Sequence, residues 1–76
     1  MINVKLYANL HQFSKSKKKE LEISWSKGLT IEKILNDEGI SLKIAKIIMV
    51  NGERQDTDFI LKDGDRVAIF PPVGGG

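Results

Sequence analysis

Two prolines close the part of this chain that can pack. From Arg66 to Phe70, Val67 and Ile69 alternate with Arg66, Ala68 and Phe70, the period of a β-strand. Pro71 follows at once, has no N–H to give to a ladder, and stops the strand there. After Pro71-Pro72 come Val73 and three glycines, Gly74, Gly75 and Gly76. The reading is therefore a domain over 1–70 and an extended tail over 71–76. A chain this short buries only about 60% of its unfolded surface, so there is room for one core. There is no cysteine, which removes disulfides, thiolate metal sites and a cysteine nucleophile. Sheet and helix alone must make the core.

The periodicity supplies those elements. Ile2, Val4, Leu6 and Ala8 alternate with Asn3, Lys5 and Tyr7, as in a strand with one buried face. Leu21, Ile23 and Trp25 alternate with Glu20, Glu22 and Ser24 in the same way, which predicts Trp25 in the core. Residues 9–19 between them are polar and end in Lys15-Ser16-Lys17-Lys18-Lys19. The two strands read as a hairpin with a long basic loop. Ile31, Ile34 and Leu35 form an apolar helical stripe. Thr30 stands at its N-cap and Glu32 in its first turn, where the dipole favours an anion. Position 33 is Lys33, so there is no capping box. Gly39 is placed to end the helix in a left-handed cap. Ile47 to Val50 is a β-branched run, and Asn51-Gly52 after it is a strong hairpin-turn signal. Residues 53–62 read as short and irregular, and Asp63-Gly64 as a further turn before the last strand.

Most of the residue types that do chemistry have plainer roles here. His11 is a lone histidine beside a polar loop, with no nucleophile or orienting group in view, and reads as structural or exposed. Asp56, Asp58, Asp63 and Asp65 lack the pattern of a calcium loop, so no metal is expected. The lysine run has no aromatic among its residues and the net charge is only +2, which argues against nucleic acid. No apolar run approaches a membrane span, and nothing resembles a signal peptide. The expectation is a cytoplasmic protein without membrane contact. Chemistry is left to the terminus. Glycine tails are thin, and a terminal carboxylate with a reference pKa of about 3.3–3.7 is ionised at neutral pH. Such a group can attack an activated phosphate.

The order strand–strand–helix–strand–short strand–strand resembles the ubiquitin-like β-grasp fold. Leu61-Lys62-Asp63-Gly64-Asp65-Arg66-Val67-Ala68-Ile69-Phe70-Pro71-Pro72-Val73, ending in Gly75-Gly76, looks like the C-terminal signature of the MoaD/ThiS sulfur carriers, and Val50-Asn51-Gly52-Glu53 also fits. The Phe-Pro-Pro-Val step is most similar to the molybdopterin-synthase small subunits rather than the thiamine type. The basic run at 15–19 matches no motif of the family. The resemblance implies an α+β fold: a mixed sheet of four to five strands on one helix, with a flexible Gly-Gly tail. It further implies that a ubiquitin-activating-type enzyme adenylates Gly76 with ATP and Mg²⁺, while this chain binds no cofactor itself. A sulfur donor protein then converts the terminus to a thiocarboxylate. Val73, Gly74 and Gly75 carry it into the large subunit of molybdopterin synthase, where sulfur passes to a pterin precursor. On its own the chain is then a carrier and not an enzyme.

A β-grasp sheet sets the strands at 47–50 and 66–70 side by side. With Ile48, Val50, Val67 and Ile69 inward, Ile47, Met49, Ala68 and Phe70 form an outward apolar patch at the root of the tail, the expected partner-binding surface. Three other functions share the same chain end. They are a thiamine-type or other pathway sulfur carrier, a ubiquitin-like modifier joined to lysines through Gly76, and an interaction module with an inert tail.

Overall fold

The computed structural model describes residues 1–72. Its elements are β1 (Ile2–Leu6), β2 (Glu20–Ile23), α1 (Ile31–Glu38), β3 (Ile47–Val50), β4 (Glu53–Arg54) and β5 (Arg66–Phe70), with a 3-10 turn at Leu10–Phe13. The sheet has the order β2-β1-β5-β3-β4. β1 and β5 run parallel in its centre, with Val4 beside Val67 and Leu6 beside Ile69. β2 pairs antiparallel with β1, and β3 pairs antiparallel with β5. β2 and β3 therefore run the same way on either side of the central pair. Such strands need a crossover, and α1 supplies it. The β-grasp architecture expected from the sequence is the one observed.

Alternation builds the core. Ile2, Val4, Leu6, Leu21, Ile48, Val50, Val67 and Ile69 point to one face of the sheet, and Ile31, Ile34 and Leu35 of α1 join them in one buried cluster. The helix ends are fixed by local chemistry. Thr30 is extended, and its Oγ1 accepts from the Lys33 N–H at 3.2 Å. At the other end Gly39 sits at φ 72. Its N–H reaches the Asn36 carbonyl and the Ile40 N–H reaches the Leu35 carbonyl. That is a Schellman motif, and buried Ile40 and Leu35 supply its hydrophobic contact.

Two sequence expectations are corrected. β1 ends at Leu6, and Ala8 is exposed at φ 54 rather than strand. The chain turns here because the Leu10 N–H bonds the Tyr7 carbonyl, which buries Leu10 in the place that alternation assigned to Ala8. Trp25 lies beyond the end of β2 and is 39% exposed. Its indole N–H donates to the Leu61 carbonyl at 2.9 Å. An indole has one polar edge to satisfy, and lying across a loop satisfies it where full burial would not.

The turns next to β5 are tied together by one carboxylate. Asn51 and Gly52 both have positive φ, 52 and 85, as a two-residue hairpin turn between Val50 and Glu53 requires. The Asn51 Nδ2 donates to Asp65 Oδ1 at 2.8 Å, and the Lys62 N–H donates to Asp65 Oδ2 at 2.8 Å. The Arg66 N–H closes the set on Asn51 Oδ1. Asp65 is buried, so removing it strands two donors. Hydrogen bonds to a charged group are worth about 1.5–3 kcal/mol. Asp65→Ala is expected to lower the unfolding free energy by about 3 kcal/mol, and Asp65→Asn by roughly half of that, in urea titrations followed by circular dichroism. Equal stability of Asp65→Ala and wild type would show that the two turns hold without the carboxylate.

Candidate functional site

The face of the sheet away from α1 is uncovered among the described residues. Residues paired across neighbouring strands share a face, so the register gives its layout. Glu20, Lys5, Ala68, Met49 and Arg54 make one row, and Phe70 and Ile47 lie next to it. Tyr7 continues β1 on the same side, and its ring stacks on Phe70 with centroids 4.4 Å apart and planes 15° apart. Ile47, Met49, Ala68 and Phe70 are half-buried where the sequence suggested exposure, and for Phe70 the Tyr7 ring is part of the cover. A shallow groove of about 880 Å³ runs over this face, lined by Tyr7, Met49, Ala68 and Phe70 and by the charged Lys5, Glu20 and Arg66.

Tyr7 is the member of this surface that pattern reasoning missed. It stood in the polar half of the β1 alternation, and its being aromatic on the outward face was the available signal. The β3–β5 register aligns the other four, because Ile47 pairs with Phe70 and Met49 with Ala68. The Lys46 N–H donates to the Phe70 carbonyl at 2.9 Å, the last ladder bond before the prolines. Pro71 is half-buried and Pro72 exposed. The expected tail residues Val73, Gly74, Gly75 and Gly76 lie outside the described residues.

Among the described residues, the remaining titratable groups make no reaction centre. His11 has its Nδ1 buried without a hydrogen-bond partner among the described residues, and the nearby Ser14 hydroxyl bonds the His11 backbone carbonyl instead of the imidazole. Asp63 pairs with the N-terminal ammonium, and Asp65 holds the turns. No group of His, Cys, Asp and Glu among the described residues could hold a metal ion. No helix among them is long and apolar enough to cross a membrane. The described residues leave one face of the sheet open, and the last strand ends at Phe70 on its border.

Comparison with known proteins agrees with the fold. SAMP1 from Haloferax volcanii superposes with a TM-score of 0.71 at 21% identity, covering 99% of this chain and 98% of that one. At that identity the likeness is one of fold. A putative molybdopterin converting factor subunit 1 from Pyrococcus furiosus superposes with a TM-score of 0.69 at 28% identity, over 95% of this chain and 97% of that one. A complex of subunits 1 and 2 of the molybdopterin-converting factor from Helicobacter pylori 26695 contains a chain that matches with a TM-score of 0.66 at 26% identity, over 99% of this chain and 97% of that one. Residues 4–76 match the model of the ThiS family. The chain thus belongs to the ThiS family, among the MoaD/ThiS ubiquitin-like sulfur carriers that its C-terminal residues resemble.

Proposed function

We propose that this chain carries sulfur as a thiocarboxylate on Gly76 and delivers it as the small subunit of a molybdopterin synthase. One observation carries the reading within the family. The last strand ends at Phe70 on the border of an apolar sheet face, so a partner seated on that face receives the chain end directly. The likeness to molybdopterin converting factor subunits of P. furiosus and H. pylori supports the choice of pathway. Residues 71–76 at roughly 3.3 Å each span about 20 Å, and Pro71-Pro72 keep the first part extended, which lowers the entropy lost on insertion.

The chemistry follows from what a carboxylate lacks. It is a poor acyl donor until one oxygen joins a good leaving group. In the proposed sequence a Gly76 oxygen attacks the α-phosphorus of ATP and pyrophosphate leaves. The terminal sulfur of a protein persulfide then attacks the acyl carbon and AMP leaves. A thiol attacks the donor-side sulfur of the resulting acyl disulfide, which frees the thiocarboxylate and leaves a disulfide on the donor. The adenylating partner holds ATP and Mg²⁺, and the large subunit holds the pterin. This chain presents its end and docks. Incubation with the adenylating enzyme, a sulfur donor and ATP, followed by intact mass, tests the reading. A gain equal to the mass difference between sulfur and oxygen is expected, lost again when the large subunit and a pterin precursor are added. Gly76-linked peptides on other proteins would make the chain a modifier, and sulfur that moves only to a thiazole precursor would make it a thiamine-type carrier.

Two substitutions separate docking from delivery. Gly75→Val adds an isopropyl side chain to the tail and is expected to leave the melting temperature unchanged within error while reducing adenylation at least tenfold (roughly 1.4 kcal/mol). Loss of stability in that variant would mean that Gly75 is packed. Phe70→Ala removes the ring stacked on Tyr7. Aromatic pairs contribute about 0.5–1.5 kcal/mol beyond burial, so a folding cost of roughly 1–2 kcal/mol is expected, against 3–5 for a fully buried Phe. Affinity for the large subunit is expected to fall about thirtyfold, the loss of a 2 kcal/mol interface anchor. Unchanged affinity in calorimetric titration would remove Phe70 from the docking surface.

A further inference from the structure

Six of the ten lysines of this chain lie in the two loops at the end of the sheet where β5 finishes. β1 runs parallel to β5, so its C-terminal end lies beside Phe70, and the Leu6 N–H there donates to the Lys19 carbonyl at 2.7 Å. On the other side the Lys46 N–H donates to the Phe70 carbonyl. Lys18 and Lys19 therefore flank the tail root through β1, and Lys46 flanks it through β3. Neighbouring strands lie about 4.8 Å apart, which puts Lys19 roughly 10 Å and Lys46 roughly 5 Å from the path of β5.

The two loops at this end, residues 15–19 and 40–46, contain six lysines and no carboxylate. All six lysines are exposed, and none forms an ion pair among the described residues. The 15–19 loop is shaped against the end of α1. The Lys15 N–H donates to the Glu38 carbonyl, Ser16 bonds Glu38 Oε1 through its N–H and its hydroxyl, and the Lys17 N–H donates to buried Ser14 Oγ. These bonds hold the loop against the end of α1 through the Glu38 carbonyl and one oxygen of its carboxylate, which leaves one negative charge beside the lysines. Residues 51–65, which lead into the start of β5 at the far end, hold five carboxylates against two cations. A net charge of +2 thus conceals a polarised molecule, positive where its tail leaves.

Resting on the carrier reading above, we infer that Lys18, Lys19 and Lys46 form a basic collar that docks on an acidic rim around the mouth of the adenylating enzyme's tail channel. An enzyme that takes the tail to its full depth must bring that mouth up to the tail root. Its rim then meets the collar at separations near or below the Debye length, about 8 Å at physiological salt. Charge at a rim governs encounter rate and orientation more than bound-state affinity. The apolar face holds the partner, and the collar aligns the tail with the channel.

The test uses the full chain and the ubiquitin-activating-type enzyme of the same organism, with pyrophosphate exchange as readout. Lys18→Glu, Lys19→Glu and Lys46→Glu are combined, with the matching triple Gln variant as a charge-removal control. These side chains are exposed, so both variants are expected to melt with wild type. The Glu variant is expected to raise the KM for the carrier about tenfold or more at low salt, with kcat unchanged, and the Gln variant to fall between. The difference from wild type is expected to shrink as NaCl rises from low to high concentration. Wild-type exchange that neither variant alters overturns the collar alone. A wild-type chain that supports no exchange overturns the carrier reading and the collar with it. Tight binding of a single-stranded RNA oligonucleotide by wild type, abolished in the Glu variant whose exchange is normal, reassigns the lysines to nucleic acid and overturns the proposal.

Discussion

The parallel pair of β1 and β5 is the contact on which the rest of the structure depends. It joins the first strand to the last, Val4 to Val67 and Leu6 to Ile69, in the middle of the sheet. A central strand has neighbours on both sides, so its register is fixed twice, here by β1 and by β3. A slip of one residue would turn Val67 and Ile69 out of the core and Ala68 and Phe70 into it. The side to which Phe70 points, and the edge from which the chain leaves, are therefore held by the whole core and not by local contacts at the C-terminus.

That arrangement explains why so little of the chain needs to be reactive. The Asn51–Asp65 network pins the turn after β3 to the turn before β5. The α1 caps fix the length of the crossover between β2 and β3. Each device serves to place β5. With β5 placed, Tyr7 from the opposite end of the sequence meets Phe70 ring to ring. The aromatic pair is a consequence of the parallel register, since it needs the C-terminal ends of β1 and β5 to lie side by side.

Much of this was legible from residue order, because alternation and caps are local signals. Ile48 and Val50 face inward as their phase required, and Thr30 and Gly39 cap the helix where their side-chain oxygen and missing Cβ suit the backbone. The strand ends were less legible. Ala8 continues the alternation on paper, yet the turn at Tyr7–Leu10 offers the larger Leu10 to the core and ends β1 early. Trp25 also keeps the phase, but its N–H needs an acceptor, and the Leu61 carbonyl supplies it. The stacking of Tyr7 on Phe70 and the placing of Lys46 at the same sheet end as the 15–19 lysines were missed for a shared reason. Their meaning depends on which strand ends adjoin, and pairing between distant parts of a chain leaves no periodic mark in the sequence.

The same topology couples folding to the chemistry of the tail. β5 is the last strand in sequence and the middle strand in space. Its pairing with β1 closes nearly the whole chain into one loop, an entropic cost that must be met before the contact stabilises anything. Before that closure, Val67 and Ile69 have no core to enter, and the open face that Phe70 borders does not exist. A partner that recognises this face and the collar can engage only chains whose last strand is already paired. On the proposed carrier function, a terminus without an intact domain behind it makes a poor substrate, because the surface that docks it forms only when β5 is paired.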